Sequence, residues 1–175
     1  DSLNKELNNN SRALLGGDIE IDYNRNVGNL ELINQVKEFA TVSQMVEFST
    51  MISTTNKNKS IFSRIKTVDK NYPLFGKVGY EPSGAFEKLQ TTKNTILVNE
   101  NIFKNLDLEI NDKIKVQDQL FTVVGIVKSV PDIGGAFVFG DFALAGKQTL
   151  ELLKLNNLGS FLNYEYKVRF NEGDN

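Results

Sequence analysis

The sequence predicts an α+β fold, and two observations carry this prediction. Segments with helical periodicity and segments with strand alternation are mixed along the chain, without the regular succession that a doubly wound α/β sheet requires. The chain has 175 residues, 40% of them hydrophobic, and a chain of this size can bury a core of its own as one domain. It contains no cysteine, so this core forms without disulfides.

The first predicted element is an N-terminal helix. Leu3, Leu7 and Leu14 lie on one face at helical spacing, and the glycine pair after residue 15 ends the pattern. This predicts a helix over residues 2–15. Its apolar face is thin, so we expect it to depend on neighbouring elements.

A strand and a second helix are predicted next. The isoleucines of residues 18–23 alternate with acidic residues, as in a half-buried strand. Asn29 is positioned to cap a helix whose buried face holds Leu30, Ile33 and Val36. We therefore expect a strand followed closely by an amphipathic helix.

Residues 41–68 have the pattern of a β-hairpin. A long strand over 41–53 is followed by a polar loop and a return strand over 60–68. The apolar alternation of the long strand slips near Met45 and Val46, which predicts a β-bulge there.

The second half of the chain contains shorter elements. A brief apolar strand leads into a helix that Asn99 or Glu100 begins, and Asn111 and Asp112 form a turn before a further strand. The predicted helices and strands of this half occupy residues 83–89, 95–98, 99–106, 113–116, 120–128, 141–145, 147–155 and 160–170. With the elements before them, they suggest two lobes. Residues 18–70 plus the C-terminal strand form an α/β lobe of the split βαβ type, and residues 95–140 form a β-rich lobe.

The composition excludes several classes of function. The chain has no His, Cys or Trp, so zinc sites of imidazole or thiolate and Ser-His-Asp or Cys-His nucleophilic sites cannot be built. The net charge of -2 argues against a nucleic-acid partner. No stretch approaches the roughly 18 apolar residues of a membrane-spanning helix. We predict no catalytic residues, no metal and no cofactor.

Two charged clusters have an ordinary structural explanation beside a functional one. Asp18, Glu20 and Asp22 share one face of a strand and could bind a hard cation, but no calcium-loop pattern follows, which favours a solvent-exposed face. The basic stretch from Lys57 to Lys70 could contact anionic lipid headgroups or an acidic partner, although a solvated hairpin is the commoner explanation.

Four carboxylates could in principle supply the acid pair of a glycosidase, provided that folding brings two of them together. They are Asp69, Glu81, Asp132 and Asp141.

Residues 131–142 form a segment that is rich in glycine and phenylalanine. It lacks both common phosphate-loop patterns, but glycines beside exposed phenylalanines can seat a partner. The candidate partner-contact residues are Pro131, Asp132, Gly134, Gly135, Phe137 and Phe139.

Several motifs occur in an order that resembles a known family. They are L-L-G-G-D at 14–18, V-D-K-N-Y-P-L-F-G at 68–76, T-I-L-V-N-E-N-I-F-K-N-L-D-L-E-I-N-D-K-I-K-V at 95–116, and F-T-V-V-G-I-V at 121–127, followed by Pro131-Asp132. The chain resembles the extracytoplasmic domain of FtsX-like ABC transporter permeases of the MacB type, and most of all the YbbP-like permeases. Asn111 stands where the family has glycine, and asparagine tolerates the left-handed conformation of that turn. After Pro131 the family often has proline and arginine, whereas this segment is rich in glycine and phenylalanine.

The resemblance implies a fold and a location. Residues 1–175 would form a single extracytoplasmic domain with the two-lobed MacB-like periplasmic core, and residues 1–17 its stalk helix. Such domains lie on the periplasmic side of the bacterial inner membrane, between the first two membrane spans. Because the chain begins at Asp1 rather than methionine, we expect a fragment or a processed product.

The resemblance also implies a non-catalytic function. The domain would recognise a periplasmic protein or a lipid-like substrate and transmit the conformational change that a cognate cytoplasmic ATPase drives. It would be monomeric in isolation and bind no nucleic acid. Two alternatives remain open: a carboxylate-dependent secreted hydrolase, which requires a deep cleft with two facing acids, and a free-standing surface adhesin or structural module.

Overall fold

A mixed β-sheet dominates the fold in the computed structural model, which describes residues 11–13, 19–24, 30–132, 140–155 and 161–171. These ranges contain ten strands and four short helices, in agreement with the predicted α+β class. In chain order they are β1 (Ser11–Ala13), β2 (Ile19–Asn24), α1 (Leu30–Lys37), β3 (Ala40–Thr54), β4 (Ser60–Val68), β5 (Gly79–Glu81), α2 (Ala85–Thr91), β6 (Thr95–Asn99), α3 (Glu100–Asn105), β7 (Lys113–Val116), β8 (Gln119–Ser129), β9 (Phe142–Gly146), α4 (Thr149–Leu152) and β10 (Asn163–Phe170).

One continuous sheet joins the two predicted lobes. Its strand order is β1-β2-β10-β3-β4-β9-β6-β8-β5, and β7 pairs with both β3 and β8. The pairs β4–β9 and β6–β8 are parallel, and the other pairs are antiparallel. The strands of residues 18–70 and β10 therefore lie in one part of the sheet, and β5, β6 and β8 lie in the other. Two strands link these parts: β9, between β4 and β6, and β7, which pairs with β3 and β8.

Hydrophobic residues pack on both faces of this sheet. Phe48 and Ile65 are opposite each other on β3 and β4 and belong to a first core cluster, which includes residues of α1, α3 and α4. Met45 and Val68 are also opposite each other but belong to a second cluster, which includes Tyr72 and residues of α2. Because side chains alternate between the faces of a strand, the two clusters lie on opposite sides.

The β-bulge expected near Met45 and Val46 is not formed, so that prediction is wrong. The register of β3 with both β10 and β4 is unbroken at these residues. Both side chains are buried because β3 is a central strand and each of its faces is covered by a core cluster. Consecutive apolar residues here reflect burial on both faces rather than an inserted residue.

The helix α1 buries a slightly different face from the expected one. Ile33 and Val36 are buried as predicted, but Leu30 is 54% exposed and Leu32 takes its place in the core. In the region predicted as the N-terminal helix, only Ser11–Ala13 is described; it is a strand paired with β2, so the helix prediction is wrong at these three residues. The rest of residues 1–17 lies outside the described ranges.

Two local predictions are confirmed in the other half of the sheet. The side chain of Asn99 accepts a hydrogen bond from the backbone N–H of Ile102 and so caps α3. Asn111 has a φ of 76°, the left-handed conformation expected of this turn. In this half of the sheet the register shifts between β6 and β8 and again between β5 and β8. Gly125 pairs at the first shift, and a Cβ atom there would lie 2.6 Å from the carbonyl oxygen of Glu81.

Candidate functional site

Three charged side chains lie on the sheet face that carries the second core cluster. Lys66 is on β4, and Glu165 and Lys167 are on β10, the two strands that flank β3. Their register places them on the same face as Met45. Two lysines and one carboxylate therefore lie together on one sheet face, beside the apolar second core cluster.

The group forms a buried polar network with two residues from loops, and we call these five residues the Lys66 network. The Lys66 ammonium forms an ion pair and hydrogen bond with Asp132 Oδ2 and lies 3.6 Å from Glu165 Oε2. Tyr72 donates its hydroxyl to Asp132 Oδ1 at 2.6 Å, and Lys167 Nζ lies 3.1 Å from Glu165 Oε1. The side chains of Lys66 and Asp132 are only 6% and 4% exposed.

The electrostatics keep Lys66 charged and Tyr72 neutral. Burial by itself lowers the pKa of Lys66, but the carboxylates of Asp132 and Glu165 more than offset it, and the pKa is raised above its ordinary value. Burial raises the pKa of Tyr72, and the nearby Asp132 carboxylate raises it further. The Asp132 carboxylate therefore accepts one hydrogen bond from the Lys66 ammonium and, on its other oxygen, one from the neutral Tyr72 hydroxyl.

The loop after β4 is fixed to the sheet beside this network. The Asp69 carboxylate accepts from the Ser43 hydroxyl at 2.8 Å and from the Gln44 backbone N–H at 2.7 Å. Gln90 of α2 donates its side-chain amide to the Tyr72 carbonyl at 3.0 Å. These bonds place Tyr72 and the residues after it over the sheet face.

A cleft of about 290 Å³ lies against the network. Its lining consists of residues 72–75, Pro131, Asp132 and Lys167. Proline, leucine and aromatic carbons form most of this lining, and Phe75 on one wall also packs against the Arg169 guanidinium, 4.6 Å from the ring centroid. The cleft therefore combines apolar walls with the Lys167 side chain of β10, and Arg169 of the same strand contacts its Phe75 wall.

Both ends of the glycine- and phenylalanine-rich segment 131–142 are held by polar contacts. At the first end, Asp132 binds Lys66 and Tyr72. At the second end, Asn99 donates to the Gly140 carbonyl and Asn101 donates to the Asp141 carboxylate. Of the predicted partner-contact residues, the structure places Pro131 and Asp132 at the cleft. The others lie outside the described residues: Gly134, Gly135, Phe137 and Phe139.

The four candidate glycosidase carboxylates each have separate partners. Asp69 binds β3, Asp132 binds Lys66, Asp141 binds Asn101, and Glu81 lies 3.3 Å from Lys128 Nζ. The part of the chain that the structure describes contains no cluster of three or more groups placed to hold a metal ion.

The two charged clusters noted in the sequence are the acidic residues 18–22 and the basic stretch from Lys57 to Lys70. The side chains of residues 18–22 lie outside the described set. Lys66 was expected within an exposed basic stretch, and this is wrong, because it is buried under Asp132.

The fold defined above is shared with extracytoplasmic domains of ABC transporters. The extracellular domain of the transporter YknZ from Gram-positive bacteria is 12% identical, with a TM-score of 0.57 over 97% of this chain and 80% of that one. The periplasmic region of MacB from Actinobacillus actinomycetemcomitans is 11% identical, with a TM-score of 0.56 over 100% of this chain and 82% of that one. At these identities the likeness establishes the fold alone.

Sequence comparison establishes the family. The model of the MacB-like periplasmic core domain matches residues 7–174, and the chain belongs to this family. The ABC transporter permease YbbP of Escherichia coli (strain K12) is 27% identical over 177 residues, which cover 98% of this chain and 21% of that permease. The chain thus spans about a fifth of the length of this relative.

Family membership confirms the predicted class: a non-catalytic extracytoplasmic part of an ABC transporter permease. Within the described ranges, none of the helices has the length and hydropathy that a membrane span requires. The comparisons give no support to the hydrolase or the adhesin alternative.

The Lys66 network predicts a loss of stability in alkaline solution. In the unfolded chain tyrosine and lysine lose their protons near pH 10.0 and 10.5, whereas the folded protein raises the pKa of both Tyr72 and Lys66. The unfolded state therefore binds fewer protons above pH 10, and the free energy of unfolding falls as the pH rises through this range. Denaturant unfolding on both sides of pH 10 measures this slope.

The variant Tyr72→Phe measures how much Tyr72 contributes to the fall in stability above pH 10. Tyr164 and Tyr166 also contribute to this fall, because burial raises their pKa values too. We expect Tyr72→Phe to be less stable at neutral pH, because the hydroxyl bond to Asp132 is lost, but to show a smaller alkaline slope. Equal slopes in the two proteins would contradict the assignment of the raised pKa to Tyr72.

Proposed function

We propose that the domain recognises a substrate or partner outside the membrane and transmits to it the conformational change that ATP hydrolysis drives in the rest of the transporter. The observation that supports this most directly is the anchoring of segment 131–142 at both ends. Asp132 holds one end to β4, and Asn99 and Asn101 hold the other end next to α3.

Such anchoring couples the segment to the sheet. One of the anchors, the contact between Lys66 and Asp132, is buried, where an ion pair is little screened and costly to break. A displacement of the sheet would therefore carry both ends of the segment with it. Binding residues are often found on loops that a rigid scaffold positions. In this proposal, Pro131, Asp132 and the residues up to Phe139 contact a periplasmic protein or a lipid-like substrate.

The transmission part is tested by distances in the complete permease with its ATPase, reconstituted in membranes. This chain has no cysteine, so spin labels can be introduced at chosen sites, such as the exposed Asn56 and Glu87. We expect the distance from Asn56→Cys to a label on the ATPase to differ between the nucleotide-free and the ATP-trapped transporter. The distance between labels at Asn56→Cys and Glu87→Cys is expected to stay constant, because one sheet supports both sites. An unchanged distance to the ATPase would contradict transmission.

The recognition part is tested by photo-cross-linking in cells. A photoreactive amino acid at Phe137 is expected to give a defined cross-linked product, whereas the same amino acid at Phe62, an exposed phenylalanine on β4, is not. Equal products from both positions, or none from Phe137, would contradict a contact role for this segment.

A further inference from the structure

The cleft beside the Lys66 network has the chemistry of a small-molecule site. Its walls are mainly carbon atoms of Pro73, Leu74, Phe75 and Pro131. Pockets of this kind, apolar with a few polar groups, are typical of ligand sites, and a volume of about 290 Å³ lies at the small end of their range. A ring or a short chain fits this space, and a whole phospholipid does not.

The carboxylate at the cleft is not available to a cationic ligand. One oxygen of Asp132 accepts from Lys66 and the other accepts from the Tyr72 hydroxyl. A cationic ligand would compete with both of these buried contacts. It would also lie near Lys167, which lines the same cleft. Both points disfavour a positively charged occupant.

The cationic residues of β10 are better placed than Asp132 to bind a ligand. Arg169 is two residues after Lys167 on β10, so both side chains leave the same face of the strand, roughly 7 Å apart along it. Arg169 is an exposed residue, and its guanidinium packs on the ring of Phe75, a wall of the cleft. In the described part of the chain no carboxylate lies within ion-pair distance of this guanidinium.

We propose that the cleft binds a small anionic amphiphile. Its apolar body lies against Leu74, Phe75 and Pro131, and its anionic head group is bound at the mouth by Arg169. Guanidinium groups bind carboxylates through two parallel hydrogen bonds and are weakly hydrated, so they suit such a position. The proposal rests on the recognition role proposed above and names the chemistry of one ligand of the domain.

Octanoate is a suitable probe, with octanol and octylammonium as neutral and cationic comparisons of equal chain length. Each is titrated into the 175-residue chain, and binding is followed by NMR shifts of residues at the cleft. Solved structures of related isolated domains show that this fold forms without the rest of the transporter. We expect saturable binding of octanoate with shifts at residues 72–75 and Pro131, and at least tenfold weaker binding of octanol and octylammonium.

Arg169→Gln isolates the head-group contact, and Arg64→Gln is its matched control. Arg64 also packs on a phenylalanine ring, that of Phe142 at 5.4 Å, but Phe142 is not a wall of the cleft, whereas the Phe75 ring under Arg169 is. A charge-assisted hydrogen bond contributes about 1.5–3 kcal/mol, so Arg169→Gln is expected to weaken octanoate binding by about tenfold or more. Arg64→Gln is expected to leave the affinity unchanged.

The wall is tested by Leu74→Asn, which is expected to weaken octanoate binding while the unfolding curve shows that the variant is folded. Equal binding of octanoate and octanol, equal affinities of the two arginine variants, or no saturable binding would each overturn the proposal. The distance measurements in the complete permease are independent of this ligand. Their failure would overturn the proposed transmission, whereas failed octanoate binding with intact distance changes would overturn only this inference.

Discussion

Replacing Asp132 with asparagine is expected to lower the free energy of unfolding by about 3 kcal/mol, because it leaves Lys66 buried without its main counter-charge. The lysine side chain is 6% exposed and cannot reach water without moving β4 or the loop above it. Glu165 remains 3.6 Å away, which places the expected loss at the lower end of the range for broken buried ion pairs. Urea unfolding of the two proteins at neutral pH measures the difference.

A matched control and a compensated variant make this prediction specific. Asp141→Asn changes the same side chain at the other end of segment 131–142, where the carboxylate is half-buried and binds Asn101, and we expect a change within about 0.5 kcal/mol. The triple variant Lys66→Met, Tyr72→Phe, Asp132→Leu removes the charges and the hydroxyl together. It is expected to be as stable as the natural chain or more so, since apolar replacements of a buried pair avoid its desolvation cost.

Either of two results would contradict this account. A loss below about 1 kcal/mol for Asp132→Asn would show that Lys66 is solvated or neutralised in another way. A triple variant as unstable as Asp132→Asn would show that packing around the loop, rather than the unpaired charge, causes the loss.

The sequence predicted much of the sheet because strand signals are local. Residues 60–68 alternate in the way that a two-faced strand requires, and β4 has those bounds. The Asn99 cap and the left-handed Asn111 follow from the chemistry of single side chains, and both are observed. The family resemblance carried the class of protein, which alternation and capping do not determine.

The remaining features depend on which strands become neighbours, and local patterns do not contain this information. The pair Met45–Val46 resembles a bulge until β10 and β4 are known to enclose β3 from both sides. Lys66 resembles its basic neighbours in the hairpin, and only the approach of Asp132, 66 residues further along the chain, shows why it is buried. The sequence holds one local signal, which is that Lys66 lies between the apolar residues Ile65 and Val68. In the structure, β4 is buried from Ile65 to Val68.

Introducing aspartate at Val123 is expected to abolish the folded state at neutral pH. Val123 is fully buried in β8, and its neighbours in the first core cluster include Ile96, opposite it on β6, and Phe121. An ionised carboxylate there would have no partner in an apolar surrounding, a cost of several kcal/mol that is comparable with the total stability of a domain. Circular dichroism and amide NMR dispersion report the loss of the fold directly.

The residue Leu120 of the same strand supplies the control for this prediction. It is 51% exposed, and Leu120→Asp is expected to change the free energy of unfolding by no more than about 0.5 kcal/mol. Val123→Ala removes two methyl groups without adding charge, and we expect that variant to fold with a loss of about 2 kcal/mol. A folded Val123→Asp protein at neutral pH would show that β8 is open to water, which is incompatible with a sheet that buries Val123 between β6 and the first core cluster. If Val123→Asp unfolds while Leu120→Asp and Val123→Ala fold, the cause is the buried charge rather than the strand position or the lost volume.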